Sequence, residues 1–398
     1  MSRRIMPAIF ALTIAGLIIT PGGNARPPEA TLKWKHLSTK TGDLPIPNAG
    51  AQQTASLVLD IDKDGVNDFV ITERSEAPAA VWYRRGKQAW TRYAIEAEPL
   101  HIEAGGAFAD IDNDGDLDIV FGGDWMSNQI WWWENPYPDY DPATPWTRRE
   151  IKNSGATQHH DQLFGDFDGD GKLELVSWNQ GAKALFWAPI PTDPKKTQPW
   201  SLTEIYSNPS KSEGLDAADI DGDGKLDIVG GGRWFEYAGK GRFIPHIIDD
   251  EMKDTRAAAG QLKKGGRPEV VFVVGDGVSR LKWYEWTGNE WVGHDLLGVD
   301  VIHGHSLRLA DVDGDGNLDI FCAEMGKWTE KSPTADNAQA RMWIFFGDGK
   351  GNFRKEEVAN GYGNHESRVA DLDGDGDLDI LGKPYNWEAP RLDIWLQE

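Results

Sequence analysis

One nine-residue pattern constrains this chain more than any other feature. Read as Asp-x-Asp-x-Asp-Gly-x-x-Asp, it starts at residues 60, 110, 166, 219, 311 and 371, with Glu174 closing the third copy. A seventh stretch, residues 261–269, keeps the frame, the glycine and a final Glu269 but lacks the first three carboxylates. Successive starts lie 42 to 60 residues apart. An internal repeat of that period predicts stacked supersecondary units, each too small to bury its own apolar face.

The repeated chemistry is that of a loop for a hard cation. Ca²⁺ takes about six to eight oxygen ligands, which alternate carboxylates and a backbone carbonyl can supply. The expected ligands are Asp60, Asp62, Asp64 and Asp68; Asp110, Asp112, Asp114 and Asp118; Asp166, Asp168, Asp170 and Glu174. The later copies offer Asp219, Asp221, Asp223 and Asp227; Asp311, Asp313, Asp315 and Asp319; and Asp371, Asp373, Asp375 and Asp379. Glycine at the sixth position permits the sharp turn. An EF-hand closes with a twelfth-position Glu and continues as a helix. Here the ninth residue closes the loop, and strand-like runs such as Asp118-Ile-Val-Phe follow it. The competing reading, acidic turns without metal, does not account for six copies in one frame. Six structural Ca²⁺ would offset roughly half of the net charge of −23.

Each repeat reads as four short strands. In the second, Ala107–Asp110 leads into the loop, Asp118–Gly123 leaves it, and Gln129–Trp133 and Trp146–Ile151 follow with strand alternation. Seven such units predict an all-β, seven-bladed β-propeller of four-stranded blades spanning residues 26–398 as one domain. The final repeat ends in a third-strand pattern at Leu392–Leu396, while Leu32–Leu37 resembles a fourth strand without a blade. Pairing the two closes the ring and protects the sheet edges. Residues 1–25, with Arg3 and Arg4 before an apolar run, read as an export signal. The expected location is therefore periplasmic or extracellular. One cysteine, Cys322, excludes a disulfide framework. The acidic balance argues against nucleic acid as a partner.

The motif with its flanking strands resembles the FG-GAP/VCBS repeats found in integrin α-subunit propellers and many exported bacterial proteins. That resemblance implies the propeller fold and leaves function open, since such propellers serve adhesins, lectin-like modules and lyases.

Function is expected at the end of the propeller opposite the calcium loops. Six residues before the first Asp of the repeats stand His160, Glu213, His305 and His365, with Arg256 beside the equivalent Thr255. Blade one offers Thr54, and blade two offers His101 and Glu103. First strands line the central channel, so these positions form a ring. Imidazoles and a carboxylate suit Zn²⁺ or Mn²⁺, or acid–base work. A polar channel whose histidines bind backbone is the plainer alternative. The loops between second and third strands add Trp125, Asn179, Gln180, Arg233 and Trp387, fitted to stack on and hydrogen-bond a carbohydrate. Trp328 lies in a long blade-six insertion, Lys327–Arg341. His36, His246 and His294 fall on fourth strands and are expected to be surface residues.

Two functions fit. The first is a sugar lyase or dehydratase, in which His160, His305 and His365 hold a metal or supply the base and Arg256, Lys383 and Tyr385 fill the remaining roles. The funnel resembles those of propeller-fold polysaccharide lyases and of the propeller part of aldos-2-ulose dehydratase, although no cupin domains accompany it here. The second is a non-catalytic module binding glycan or a protein partner. A two-carboxylate hydrolase would need Asp124, Glu213 and Glu324 to be paired in space. Neither a nucleophile elbow nor a phosphate loop is present in the sequence.

Overall fold

The computed structural model describes residues 31–87, 89–328 and 334–398. The expected export signal, residues 1–25, lies outside them. The described residues form strands and no helix, and none of their elements is a helix long and apolar enough to cross a membrane.

Seven four-stranded antiparallel sheets follow one another along the chain. The innermost strands are Gln53–Leu59, Ala107–Ala109, His159–Gly165, Asp216–Ala218, Thr255–Gly260, Ser306–Ala310 and Arg368–Ala370. The seventh blade takes its outer strand from the start of the described chain. Trp34–Ser38 pairs with Asp393–Gln397, register Trp34↔Gln397 to Ser38↔Asp393. A two-stranded ribbon, Val278–Ser279 with Val301–Ile302, is added at blade five.

The packing explains why the repeat has its period. Seven apolar clusters are present among the buried residues, and each joins two neighbouring blades. The second residue of every loop plugs one of them: Ile61, Ile111, Phe167, Ile220, Leu262, Val312 and Leu372 are all buried. Each such side chain contributes about 1.5–3 kcal/mol of burial. The degenerate fifth repeat has lost its acids but keeps Leu262, so the plug is independent of the ligand set. Ring closure is likewise apolar, with Phe69, Ile71 and Tyr83 packed on Leu372, Leu381 and Ile394.

The outer-strand histidines have a structural role beyond mere exposure. His36, His246 and His294 stack on Trp395, Trp234 and Trp283 at centroid distances of 4.8, 4.1 and 4.4 Å. Each also faces a carboxylate, Asp393, Glu236 or Glu285.

Candidate functional site

The propeller has two chemically distinct ends. At one, the six acidic loops repeat a single hydrogen-bond pattern. The first Asp accepts the N–H of the sixth-position glycine at 2.9–3.1 Å. Those glycines have φ of 84–94°, a conformation costly for other residues. The ninth carboxylate ties the loop to the blade. One oxygen of Asp118, Glu174, Asp227, Asp319 and Asp379 accepts the N–H of the loop's second residue at 2.8–3.0 Å. The second oxygen of Asp118, Asp319 and Asp379 accepts an N–H at the end of the third strand at 2.8–2.9 Å. Asp68 does the same toward Arg85 at 2.6 Å.

These loops fit a cation. Ligand atoms of Asp60, Asp62 and Asp64, and likewise of Asp166, Asp168, Asp170 and Glu174, lie within 4.8 Å of one another. Buried Oδ1 atoms of Asp110, Asp311 and Asp373 have no hydrogen-bond partner. Burial raises the Asp118 and Asp319 carboxyls to about 8. Four loops also carry a basic partner, with Arg84 on Asp62, Lys195 on Asp112, Lys172 on Asp170 and Lys225 on Asp223. The fifth loop uses another solution: the Gln261 amide donates to the carbonyls of Lys263 and Gly265. Glu269 still accepts the Lys263 N–H at 2.8 Å.

At the other end the inner strands bring His160, Glu213, His305 and His365 together. Glu213 sits between two imidazoles, its Oε2 lying 3.3 Å from His160 Nε2 and 3.4 Å from His305 Nε2. Its Oε1 is buried without a hydrogen bond. A Cβ at Gly275 would fall 1.6 Å from that atom, so any other residue there would displace the carboxylate from this position. The opposite nitrogen of each imidazole also faces an acid: His160 Nδ1 lies 2.5 Å from Asp161, and His305 Nδ1 lies 3.6 Å from Glu366. Imidazoles oriented by a carboxylate behind and sharing an anion in front form the usual surroundings of a histidine-bound metal. His160, Glu213 and His305 have ligand atoms within 4.8 Å of one another.

Arg256 holds this arrangement from below. It grips Asp161 through two bonds of 2.8 and 2.9 Å and reaches Glu366 at 2.9 Å. Arg368 binds the other Glu366 oxygen at 2.9 Å. Despite the cost of burial, Arg256 keeps the Glu366 carboxyl well below the usual range. Burial would also lower His160 and His305, but their carboxylate neighbours prevail and hold them at about 9 and about 10.

His365 differs. It stacks on His305 at 4.2 Å, and its Nδ1 lies 3.2 Å from Lys383 Nζ. Lys383 also donates to the Gln53 and Thr54 carbonyls at 3.1 and 3.0 Å. Burial, reinforced by the neighbouring cations, holds both His365 and Lys383 well below their ordinary values. The amine thus lies within hydrogen-bonding distance of two carbonyls and of His365 Nδ1, which leaves His365 Nε2 on the side of the ring away from Lys383.

The remaining wall is aromatic and cationic. Tyr385 lies 5.1 Å from His365, and its hydroxyl donates to Gln52 at 3.0 Å and accepts from Arg74 at 3.2 Å. The Arg74 guanidinium lies between the Trp125 and Tyr385 rings, at 4.8 and 5.4 Å, and pairs with Glu103. Trp125 is 51% exposed. Other expected ligand contacts are engaged within the protein. The Asn179 amide faces the His159 ring and the Ala156 carbonyl, Gln180 donates to the Ser212 carbonyl, and Arg233 pairs with Asp250. Trp387 is half-buried near Gly326. Glu324 is engaged by Arg341 and by the Ile302 N–H.

Asp161 and Glu366 were not among the expected site residues. Each follows a ring histidine, where strand alternation would turn it away from the channel. Both have positive φ, 52° and 57°, and blade three has a bulge between His160 and Gln162. The bulge returns the side chain to the lumen. The sequence signal was the recurrence of a His-acid dipeptide at one register, His160-Asp161 and His365-Glu366.

Comparison with known proteins bears on the repeats first. Residues 60–121, 110–177 and 166–230 match the model of the FG-GAP-like repeat. These are FG-GAP-like repeats. A Bacillus subtilis (strain 168) protein named rhamnogalacturonan exolyase YesX is 25% identical over 245 residues, 56% of this chain. The match spans only 37% of that relative's length. Among solved structures, a chain of the BBS1N–ARL6DN complex soaked with lead superposes with a TM-score of 0.54 at 13% identity. That match covers 92% of this chain and 97% of the other. Raptor from Chaetomium thermophilum superposes at 0.53 with 10% identity, covering 92% of this chain and 29% of Raptor. The FG-GAP-like repeats and these superpositions agree on the propeller fold.

Proposed function

We propose that this propeller is a calcium-stabilised lyase acting on uronate-bearing carbohydrate by β-elimination in the histidine funnel. The observation that carries the reading is the meeting of two unlike groups at the entrances to neighbouring inner strands. The His365–Lys383 couple stands beside the His160–Glu213–His305 cluster, with His365 stacked on His305 and with Tyr385 and Arg74 on the adjoining wall. The partial likeness to a rhamnogalacturonan exolyase supports carbohydrate as the substrate class.

Elimination needs a base for a carbon-bound proton, stabilisation of the charge left behind, and an acid for the departing oxygen. His365 Nε2 takes the proton from the carbon next to the carboxylate, while Lys383 fixes the tautomer. Arg74, on the wall between Trp125 and Tyr385, orients the substrate carboxylate. The Tyr385 hydroxyl gives its proton to the leaving glycosidic oxygen as the C–O bond breaks and the new double bond forms. Asp161, Glu366 and Arg256 keep the two ligand histidines in place. His160, Glu213 and His305 would hold Zn²⁺ or Mn²⁺, and such an ion would supply positive charge against the developing enolate. The acidic loops hold Ca²⁺ away from this chemistry.

The test is His365→Gln, which keeps the size and hydrogen-bonding ability but removes the base. Turnover of a galacturonate-containing oligosaccharide should fall by about 10²–10⁴-fold with binding retained. Unchanged turnover would refute the assignment. Binding by the wild type with no turnover would favour a glycan-binding module.

A further inference from the structure

Beside the funnel, on the same end of the propeller, lies a second cleft of about 330 Å³ between the approach to blade two and its second-to-third-strand loop. Leu100, Met126 and Trp131 give it apolar surface, and Asn128, Gln129 and Thr157 add polar atoms. His101 is the only ionisable group in its lining. Lysine and arginine are absent from the lining, in contrast to the Arg74 wall of the funnel.

Asp124 is the partition between the two. Its Oδ2 lies 3.3 Å from His101 Nδ1 on the cleft side and 3.8 Å from Arg74 Nε on the funnel side. That oxygen is buried and has no hydrogen-bond partner. Gln158 braces the same partition. Its N–H reaches the Asp124 and Ser127 carbonyls at 3.0 and 3.2 Å, and its amide lies 3.4 Å from Glu103. Gln158 does so at φ of 69°, a backbone conformation rarely adopted by a non-glycine residue. Over the partition stands Trp125, with Arg74 against one face. Its neighbour Met126 is 63% exposed.

We propose that this cleft is a subsite for a neutral sugar, positioned beside a uronate held in the funnel, with Trp125 as the stacking platform between them. The proposal rests on the carbohydrate reading above and narrows it to chains in which acidic and neutral residues adjoin. Carbon-bound hydrogens or a deoxy-sugar methyl would pack on Leu100 and Met126, and hydroxyls would meet the amides of Asn128 and of Gln129, whose Nε2 is oriented by Glu150 at 2.8 Å and whose oxygen is left to accept. No lysine or arginine lines this cleft, and Lys152 beside it is engaged by the Asn128 and Ala156 carbonyls, so a uronate there would be less well compensated than on the Arg74 wall.

The test is calorimetric titration of the full chain, loaded with Ca²⁺, with two oligosaccharides of equal length. One alternates galacturonate and rhamnose, and the other is pure oligogalacturonate. The wild type should bind the alternating chain about tenfold more tightly. Met126→Ala and Gln129→Ala, both outside the funnel, should remove most of that preference and leave oligogalacturonate binding unchanged. Equal affinities in the wild type, or a preference that survives both variants, would overturn the subsite while leaving a funnel that binds uronates. Binding of neither oligosaccharide would overturn both readings.

Discussion

Arg256 is the residue on which the funnel's order depends, and its removal gives the sharpest energetic prediction. The side chain is 3% exposed and joins two acids that are themselves buried, Asp161 and Glu366. Replacing it by methionine keeps most of the volume and leaves both carboxylates facing a missing charge. Breaking one buried pair costs about 3–5 kcal/mol. Arg368 still serves Glu366, so the loss should fall within that range instead of doubling. Arg256→Lys keeps the charge, but an ammonium cannot reproduce the fork that spans both acids, and an intermediate loss is expected. Adding Asp161→Asn to Arg256→Met removes one of the stranded charges and should recover part of the stability, a coupling of about 1 kcal/mol or more. The assay is equilibrium unfolding in urea with the protein saturated with Ca²⁺, comparing midpoints at constant slope. A loss under about 1 kcal/mol for Arg256→Met, or strict additivity in the double variant, would refute this account of the network.

Two further perturbations follow from the geometry. Chelation by EDTA should lower the melting temperature markedly and reversibly, because ions bound only by the folded state stabilise it; an unchanged melting curve would contradict cation loops. Gly275→Ala puts a methyl group where Glu213 Oε1 lies, so it should abolish turnover and funnel metal binding. Its melting temperature should remain close to wild type, and full activity in this variant would exclude Glu213 from the site.

The fold was legible because its determinants are local. A glycine with φ near 90° and its acidic partners occupy one short loop, and the apolar second residue that plugs the interblade core lies inside the same motif. Counting back a fixed distance from each loop, through the inner strand and into the extended residues that enter it, also brought His160, Glu213 and His305 to one place, since extended chain has a nearly constant rise. That counting fails wherever the backbone departs from strand geometry. Asp161 and Glu366 turn inward only through left-handed residues, and periodicity assigns them to the wrong side. Arg74 comes from a connection whose length differs between blades, so no register locates it. Asn179 and Arg233 show the converse: their loops lie at the expected end, yet their polar atoms satisfy neighbouring groups. Burial and pairing, not position alone, decide which residues are free to meet a ligand.

The measurement that tests the central claim most directly is the product formed from a galacturonate-containing oligosaccharide by the purified, Ca²⁺-loaded chain. Ultraviolet absorbance should rise as an unsaturated uronate forms, and mass spectrometry should find two fragments whose masses add to that of the substrate with no water gained. Fragments carrying an added water would contradict elimination and identify a hydrolase, and an intact substrate would contradict the enzyme reading.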